Sequence, residues 1–431
     1  MQRTIGKFET APAVANEFAC FNLVGILELE NGPRPEVVQD SLNILQNHHP
    51  VLRSRILKKG NSYFFDEIEG HTIPVTVAER PDPDHWISYV ESYLNHSLDW
   101  ETGPLLNCTY LYNEARGGVS EIIFAFHHSI IDAISLVTFF DDFLTLCASL
   151  PAGGPIKGYG GYPALPAVEK LFPPSHKGIG LAFRTLRFMA RQMYSELTIM
   201  RRTNSRLKPP IHIDSTGRVL TMHLSEDETA ALEKKARIHK VTLNSIQHAA
   251  ILTATWKHLY KSEAVPMKYI LFQNLRPYLM PPLDEMVMGS YIAMIQLATF
   301  MDLKKDFWDL CHEINHSVYL TGKSGDKFVS ANMSGSLLKM LFRFKSFRMA
   351  VTAMNYSGAI PLQQTYGDIG VVGIRGFASN FGLGPEFSAQ TLMFNGKLYW
   401  NIVYLETDMD EETAQTITNE IKSILVSKAA E

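Results

Sequence analysis

The sequence predicts an α/β fold of two lobes, each a mixed sheet flanked by helices. With 431 residues, the chain exceeds what one hydrophobic core usually serves and suffices for two lobes of about 200 residues each. Strand-like segments alternate with segments whose apolar residues recur at helical spacing. A stretch crowded with proline and glycine interrupts this alternation. We therefore predict an N-terminal lobe over 1–150, a linker over 151–215 and a C-terminal lobe over 216–431.

The N-terminal lobe begins with an apolar strand at Leu23–Leu29, followed by a helix over Pro35–Gln46 whose apolar residues share one face. The pair Gly117-Gly118 marks the turn between two later strands. The further predicted elements are short strands at Val51–Leu57, Ser62–Phe65 and Ile73–Val77, a helix at His85–His96, strands at Leu105–Tyr112 and Glu121–His127, and a helix at Asp132–Ser149.

Prolines and glycines crowd the segment Pro151–Pro163, and neither a helix nor a central strand tolerates that density. A basic amphipathic helix is predicted after it, at Ile179–Arg202. The C-terminal lobe starts with a strand at Arg218 and a helix whose capping box joins Ser225 to Glu228. Its other predicted elements are helices at Thr242–Tyr260 and Glu411–Val426, and strands at Tyr269–Gln273, Tyr291–Phe300, Val351–Met354 and Gln390–Tyr404, the last a hairpin turning at Asn395-Gly396.

Composition and missing motifs argue against several classes of function. The net charge is −4, with 40 basic against 44 acidic side chains, so no global positive field is available to hold nucleic acid. The four cysteines form no CxxC pair, which argues against a zinc knuckle or disulfide framework and favours a cytoplasmic protein. GxxxxGK[ST], strand-linked GxGxxG and GxSxG motifs are absent, leaving nucleotide hydrolysis, dinucleotide redox chemistry and serine hydrolysis unsupported.

The sequence also argues against insertion into a membrane. No stretch reaches the roughly 18 apolar residues that span a bilayer, so no transmembrane segment is expected. Lys7 and Glu9 fall where a signal peptide would need apolar residues. Peripheral contact with a membrane stays open.

The segment that carries chemistry is HHSIIDA, from His127 to Ala133, directly after the apolar strand EIIFAF. Adjacent residues on a strand point to opposite faces, so the two imidazoles are not expected to share a metal ion. One of them suits a general base, because a neutral histidine takes a proton from an alcohol or amine near neutral pH. Asp132 begins the next helix, where unpaired amides and the helix dipole favour a carboxylate. The residues alone leave another interpretation open, namely two hydrogen-bonded core histidines beside a helix cap.

HHSIIDA resembles the HHxxxDG signature shared by chloramphenicol acetyltransferase, peptide-synthetase condensation domains, polyketide-associated acyltransferases, alcohol acetyltransferases and the plant BAHD acyltransferases. Shorter segments resemble further motifs of that superfamily in the same order, and the resemblance covers nearly the whole chain. These segments are NHHPVLRSRI at 47–56, LDWETGPLL at 98–106, FQNLRP at 272–277, AMNYSG at 353–358 and NFGLGP at 380–385.

The resemblance implies two chloramphenicol acetyltransferase-like lobes with an active-site tunnel between them. It implies that His128 deprotonates the acceptor, which attacks a thioester carbonyl, and that the imidazolium then protonates the leaving thiolate. His127 would point away and support the loop. Asp132 would pair with an arginine of the other lobe, for which Arg276 is the candidate, with Asn274 as further structural support.

Some positions are left open by the resemblance or depart from it. The oxyanion donor is not identified, and the candidates for oxyanion or substrate contacts are Asn355, Ser357 and Asn380. Ala133 stands where the signature has glycine, so the turn must avoid any conformation that only glycine adopts. Asn380 and Leu383 replace the acid and the tryptophan of the BAHD loop.

The implied reaction is O- or N-acyl transfer from coenzyme A or a carrier-bound thioester to a small-molecule acceptor, as in secondary metabolism. No metal or further cofactor is expected, and any acyl carrier protein that supplies the donor would act in trans. Two alternatives stay open: a free-standing condensation enzyme that forms an amide between carrier-bound substrates, and a catalytically silent binding protein of the same fold. Two basic segments, 184–208 and Leu337–Met349, are interpreted as solvated helix faces or as contacts for phosphates or an anionic membrane.

Overall fold

The computed structural model describes residues 2–115, 118–153, 166–202, 211–212, 214–345 and 348–431. The chain divides into two compact units, and among the described residues each contains one six-stranded sheet. The first unit comprises Met1–Leu171, Leu279–Tyr291 and Ala359–Ser379, and the second comprises Phe172–Tyr278, Ile292–Gly358 and Asn380–Glu431. The predicted two-lobed α/β fold is confirmed.

The predicted helices and strands occur in the predicted order, but the elements at 2–4, 10–15, 307–323, 326–344, 365–366 and 369–378 were not among those predicted. Up to residue 149 they are β1 (Gln2–Thr4), α1 (Thr10–Ala15), β2 (Asn22–Glu30), α2 (Pro35–His48), β3 (Ser54–Lys59), β4 (Ser62–Glu67), β5 (Val75–Glu79), α3 (Trp86–Asn95), β6 (Leu106–Tyr112), β7 (Val119–His127) and α4 (Ala133–Ser149). After residue 177 they are α5 (Gly178–Arg202), β8 (Gly217–Leu224), α6 (Glu226–Ile238), α7 (Leu243–Leu259), β9 (Val265–Asn274), β10 (Ile292–Met301), α8 (Phe307–Lys323), α9 (Asp326–Phe344), β11 (Ala350–Ala359), β12 (Thr365–Tyr366), β13 (Ile369–Ala378), β14 (Pro385–Phe394), β15 (Lys397–Leu405) and α10 (Glu411–Ala430).

The sheet of the first unit has the order β12-β13-β2-β7-β6-β5, in which β5 runs parallel to β6 and the other pairs are antiparallel. Strand β7 lies between two neighbours and is buried along nearly its whole length, as its apolar run requires. Phe124 of β7 meets Phe139 and Phe143 of α4 edge to face, each at 5.1 Å between ring centroids. Such pairs contribute about 0.5–1.5 kcal/mol each beyond burial of their area. They anchor α4 on β7 and so define the turn between the two elements.

The boundaries of the units differ from the predicted ones, because two stretches of the predicted C-terminal lobe belong to the first unit. Strand β13 pairs with β2 from Ala378 opposite Leu23 to Gly370 opposite Glu30, with a bulge near Val371. This pairing satisfies backbone groups that β2 would otherwise expose at a sheet edge. The predicted single lobe over 216–431 is therefore wrong at 279–291 and 359–379. Most of the proline- and glycine-rich stretch, 154–165, lies outside the described residues.

The sheet of the second unit has the order β10-β9-β11-β14-β15-β8, with β11 parallel to β9. The hairpin of β14 and β15 turns at Asn395-Gly396, whose φ angles of 48° and 74° fit the turn that Asn-Gly favours. The capping box of α6 is confirmed, since Ser225 accepts from the backbone N–H of Glu228 and the Glu228 carboxylate accepts from that of Ser225. Within the described ranges, no helix combines the length and apolar character needed to cross a membrane.

Candidate active site

His128 is the first residue after β7, and its imidazole is fixed by one hydrogen bond. Its Nδ1 lies 2.9 Å from the backbone carbonyl of Ile131, and the ring of Phe21 stacks on it at 5.4 Å between centroids. A carbonyl only accepts, so Nδ1 carries the proton and Nε2 keeps its lone pair. No hydrogen-bond partner of Nε2 is found among the described residues, and the side chain is 9% exposed. This imidazole is therefore oriented and can accept a proton at Nε2.

His127, the last residue of β7, has a polar neighbour at each ring nitrogen. Its Nδ1 lies 3.2 Å from the backbone nitrogen of Ser129, and its Nε2 lies 3.0 Å from Nδ2 of Asn16. A neutral imidazole accepts at one nitrogen and carries its proton at the other, so only one of these two neighbours donates to the ring. The side chain has no exposed surface. Both ring nitrogens thus have polar neighbours within the first unit, which fits the predicted supporting role of His127.

Burial keeps both imidazoles neutral. Burial and, to a smaller extent, the neighbouring His128 lower the pKa of His127 to about 3. Burial likewise lowers the pKa of His128, although the hydrogen bond to Ile131 and the charge of Asp132 act in the opposite direction. A lowered pKa leaves His128 unprotonated at neutral pH, the state that a general base needs.

Asp132 is fully buried and ties α4 to the segment Leu279–Tyr291. One carboxylate oxygen accepts from the backbone N–H of Ser135 as the N-cap of α4, and the other accepts from that of Tyr291, each at 2.9 Å. Ser135 adds two bonds: its Oγ donates to the carbonyl of Gly289 at 3.0 Å and accepts from the Gly289 N–H at 3.1 Å. The predicted helix-capping role of Asp132 is confirmed. The sequence pattern did not predict the hydrogen bond between the Asp132 carboxylate and the backbone N–H of Tyr291.

Ser129 ties the turn to the N-terminal segment. Its Oγ donates to the backbone carbonyl of Glu9 at 2.7 Å. The Glu9 carboxylate in turn accepts from both terminal nitrogens of Arg3, at 2.8 and 2.7 Å, and from the backbone N–H of Gly6 at 2.6 Å. A bidentate, nearly buried pair of this kind holds its geometry firmly. These residues were not identified from the sequence, and no short motif marks them.

Ala133 causes no strain where the signature has glycine. It is the first residue of α4, and the backbone there adopts no positive φ. Glycine is required only where φ is positive or a Cβ would clash. The departure from the signature at this position is therefore compatible with the same turn.

Arg276 and Asn274 lie in the second unit, at the end of β9. The Asn274 side-chain oxygen accepts from the backbone N–H of Arg276 at 2.9 Å, which holds the short turn Arg276–Tyr278. The Arg276 side chain is 1% exposed. The predicted supporting role of Asn274 thus has a local physical basis. The pairing of Arg276 with Asp132 would join the two units and stays a prediction.

The candidates for oxyanion contacts also belong to the second unit. Asn380 is buried and engaged in its own loop, because its Nδ2 donates to the carbonyl of Pro385 at 2.8 Å and its Oδ1 accepts from the N–H of Phe381 at 2.9 Å. Asn355 donates from Nδ2 to Oγ of Ser357 at 3.3 Å near the end of β11. These two bonds of Asn380 brace the loop that begins at this residue. Asn355, Ser357 and Asn380 all stay predicted contacts.

No group of three His, Cys, Asp or Glu side chains in the described part of the chain is arranged to hold a metal ion. The two adjacent histidines have separate partners, Asn16 and Ser129 for His127 and Ile131 for His128.

Two family models match the sequence. The model of the condensation domain matches residues 12–159, which contain the whole HHxxxD turn, and the model of the C-terminal part of phthiocerol/phthiodiolone dimycocerosyl transferase matches residues 214–376. No curated protein sequence matches the chain.

Several solved structures share the fold. The TRI3 trichothecene 15-O-acetyltransferase of Fusarium sporotrichioides is 14% identical with a TM-score of 0.80, over 99% of this chain and 95% of that one. Polyketide synthase associated protein 5 of Mycobacterium tuberculosis is 18% identical with a TM-score of 0.71, over 99% of both chains. The epimerization domain from the third module of tyrocidine synthetase B is 13% identical with a TM-score of 0.71, over 100% and 97%. At such identities the likeness shows the fold.

Proposed function

Because the chain belongs to the chloramphenicol acetyltransferase-like superfamily, which includes condensation domains and polyketide-associated acyltransferases, we propose that it transfers an acyl group from a thioester to a hydroxyl or amine. The donor is acyl-coenzyme A or a carrier-bound thioester, and the acceptor is a small molecule. The fold is of the acyltransferase and condensation type. The donor, the acceptor and the base belong to the proposal.

The observation that carries the proposal is the state of His128. Nδ1 of His128 donates its hydrogen to the carbonyl of Ile131 in a hydrogen bond and keeps its proton, so the only basic atom of the ring is Nε2. The lowered pKa means that this atom is unprotonated at neutral pH. A base with a fixed tautomer and orientation avoids the reorganisation that a mobile side chain would need during proton transfer.

In the proposed reaction, Nε2 of His128 takes the proton from the acceptor O–H or N–H as the acceptor oxygen or nitrogen bonds to the thioester carbon. The carbonyl electrons move to oxygen and form a tetrahedral oxyanion. As the carbonyl re-forms, the carbon–sulfur bond breaks and the imidazolium of His128 returns its proton to the thiolate. The products are an ester or amide and a free thiol, and His128 is neutral again. The thioester supplies the driving force, so the balance requires no oxidant, reductant or further reactant.

Asp132 and His127 act as positioning residues in this proposal. Asp132 anchors the start of α4 to Tyr291, and His127 anchors the end of β7 to Asn16. Between these anchors lie only the residues from His128 to Ile131, and their backbone carries both the imidazole and the carbonyl that orients it. Tight anchoring matters because a misplacement of about 1 Å can cost about a hundredfold in rate.

The experiment is acceptor-dependent release of thiol from a panel of acyl-coenzyme A donors mixed with alcohols and amines. We expect His128→Ala to lower the rate by about two orders of magnitude or more. The matched control is His96→Ala, because the Nδ1 of His96 also lies 2.9 Å from a backbone carbonyl, that of Ser92, yet this side chain is exposed. That control should retain the wild-type rate. Equal rates for His128→Ala and wild type would refute the mechanism.

The two alternatives give distinct outcomes in the same assay. The condensation enzyme predicts turnover only when the donor is loaded on a carrier protein, with an amide as product. The silent binding protein predicts no thiol release from either type of donor, together with ligand binding by wild type that persists in His128→Ala. Turnover of free acyl-coenzyme A contradicts both.

A further inference from the structure

Helix α5 presents a long apolar face to solvent. Ile179, Phe183, Leu186 and Met193 are 90%, 69%, 67% and 65% exposed. They are separated by four, three and seven positions, the spacing that places residues on one face of a helix. The same face carries Leu197, which is 49% exposed. Monomeric proteins rarely leave a contiguous apolar surface of this length uncovered.

The opposite face of α5 is packed, so its apolar exposure does not come from a detached helix. Positions Leu181, Thr185, Phe188 and Gln192 recur at helical spacing and are half-buried. Helix α5 lies against α9 and β9 of its own unit. Two ion pairs hold it there: Glu196 with Lys268 at 3.1 Å, and Arg191 with Asp326 at 2.5 Å.

The charges on α5 are almost all positive. Within Gly178–Arg202 the only acidic residue is Glu196, which is paired with Lys268, whereas the arginines include Arg184 and Arg187. In a helix with about 3.6 residues per turn, Arg187 lies about a quarter of a turn and Arg184 about two-fifths of a turn from the centre of the apolar face. An exposed apolar face flanked by arginines is the pattern of helices that lie in the interface of a bilayer.

The neighbouring helix α9 ends with the same combination. Met340 is 45% and Phe344 is 62% exposed, and the exposed residues beside them include Lys339 and Arg343. Both helices belong to the second unit, and they pack against each other. This is the second basic segment noted in the sequence. The other segment, 184–208, is described only in part, because 203–210 lies outside the described residues.

We propose that α5 binds the surface of an anionic bilayer, with Phe183, Leu186 and Met193 inserted among the acyl chains and Arg184 and Arg187 at the headgroups. Charge complementarity selects this occupant. A second copy of the chain, packed face to face through the same helix, would offer these arginines no unpaired acidic partner on α5, because the only acidic residue of α5, Glu196, is paired with Lys268. Negatively charged lipids instead neutralise the arginines. The inference concerns a surface separate from His128 and does not depend on the transfer reaction.

The test is co-sedimentation of the full chain with vesicles of phosphatidylcholine alone and of phosphatidylcholine with about one third phosphatidylserine. We expect binding to the anionic vesicles. Combining Phe183→Ser, Leu186→Ser and Met193→Ser should weaken it at least about tenfold, since each loses an inserted apolar side chain. Combining Arg184→Glu and Arg187→Glu should remove the preference for phosphatidylserine, at about fivefold or more per position.

The matched control is Leu303→Ser, which removes an exposed leucine, 83% exposed, from the turn between β10 and α8. It should bind vesicles like wild type. Far-ultraviolet circular dichroism and the thermal midpoint must agree among the variants, so that loss of folding is recognised. Failure of wild type to bind anionic vesicles, or unchanged binding of the triple serine variant, would overturn the proposal. The proposal would also be overturned if light scattering showed that wild type is a dimer that does not bind lipid, and that the triple serine variant is a monomer.

Discussion

Replacing Asp132 by asparagine tests the central contact of the candidate site, because it changes one atom and keeps the shape of the side chain. The carboxylate accepts from two backbone N–H groups, those of Ser135 and Tyr291, and it is fully buried. An asparagine has one oxygen and one NH₂ group. Whichever way the amide turns, one of the two backbone N–H groups faces another donor. The variant therefore loses a charge-assisted hydrogen bond.

The expected cost follows from the strength of such bonds. A hydrogen bond to a charged group contributes about 1.5–3 kcal/mol, and a buried donor left without its acceptor costs about 1–3 kcal/mol. These contributions overlap, so we expect Asp132→Asn to lower the free energy of unfolding by about 2–4 kcal/mol. Because Asp132 positions the start of α4 behind His128, the rate of acyl transfer should fall as well. The acid limb of the remaining activity should move to lower pH, because the Asp132 charge that raises the pKa of His128 is lost.

The matched control is Asp410→Asn. Asp410 is also an N-cap aspartate, accepting from the N–H of Thr413 at 2.9 Å, but it is exposed and caps α10. Asparagine caps helices about as well as aspartate, so this variant should unfold at the same urea concentration as wild type.

The assays are urea unfolding followed by circular dichroism and hydrogen exchange of the peptides that contain 133–136 and 289–291. Faster exchange in both peptides is expected for Asp132→Asn alone. Equal stability of Asp132→Asn and Asp410→Asn would show that the buried double contact of Asp132 does not hold the site.

Three further predictions concern titration and the turn. Because burial lowers the pKa of His128, the acid limb of kcat/KM should lie below pH 6.5, and a limb centred higher would contradict a buried neutral base. Burial raises the pKa of the Glu386 carboxyl from 4.5 to about 7, so the folded state holds this proton more tightly than the unfolded state. The stability that the protonated carboxyl contributes is therefore complete below about pH 4.5 and is lost as the pH rises through 7. Glu386→Gln, which can still accept from Tyr260, should therefore raise the thermal midpoint at pH 8 more than at pH 5, and equal shifts would refute this. Ala133→Gly should lower the free energy of unfolding by about 0.5–1 kcal/mol in urea, since Ala133 is helical, whereas a gain would indicate hidden strain.

Elements with a strong local pattern were predicted within a few residues. Strand β7 was expected at Glu121–His127 and occupies Val119–His127, and α4 was expected from Asp132, which is its N-cap. The reason is that an unbroken apolar run and an N-cap aspartate act through neighbours in the chain. The capping box of α6 and the Asn395-Gly396 turn were predicted for the same reason.

Strand β13 shows the opposite case. Its sequence IGVVGIRGFA contains three glycines, which weaken any strand pattern, and its partner β2 lies more than 300 positions earlier in the chain. Nothing local indicates that pairing. Its omission also made the predicted boundaries of the second lobe wrong, since β13 carries 359–379 into the first unit.

The sequence by itself determined the α/β class, the HHxxxD turn and the end of the strand that presents it, because these depend on the period of apolar residues and on adjacent positions. Only the tertiary structure decided which imidazole is free. Asn16 and Ser129 lie next to the ring nitrogens of His127, and the carbonyl of Ile131 accepts from Nδ1 of His128. Glu9 and Tyr291 hold the turn. Most of these partners are backbone groups or distant residues, and a backbone carbonyl or N–H is the same in every residue. Sequence patterns therefore carry no record of them, whereas folding brings them within hydrogen-bond distance.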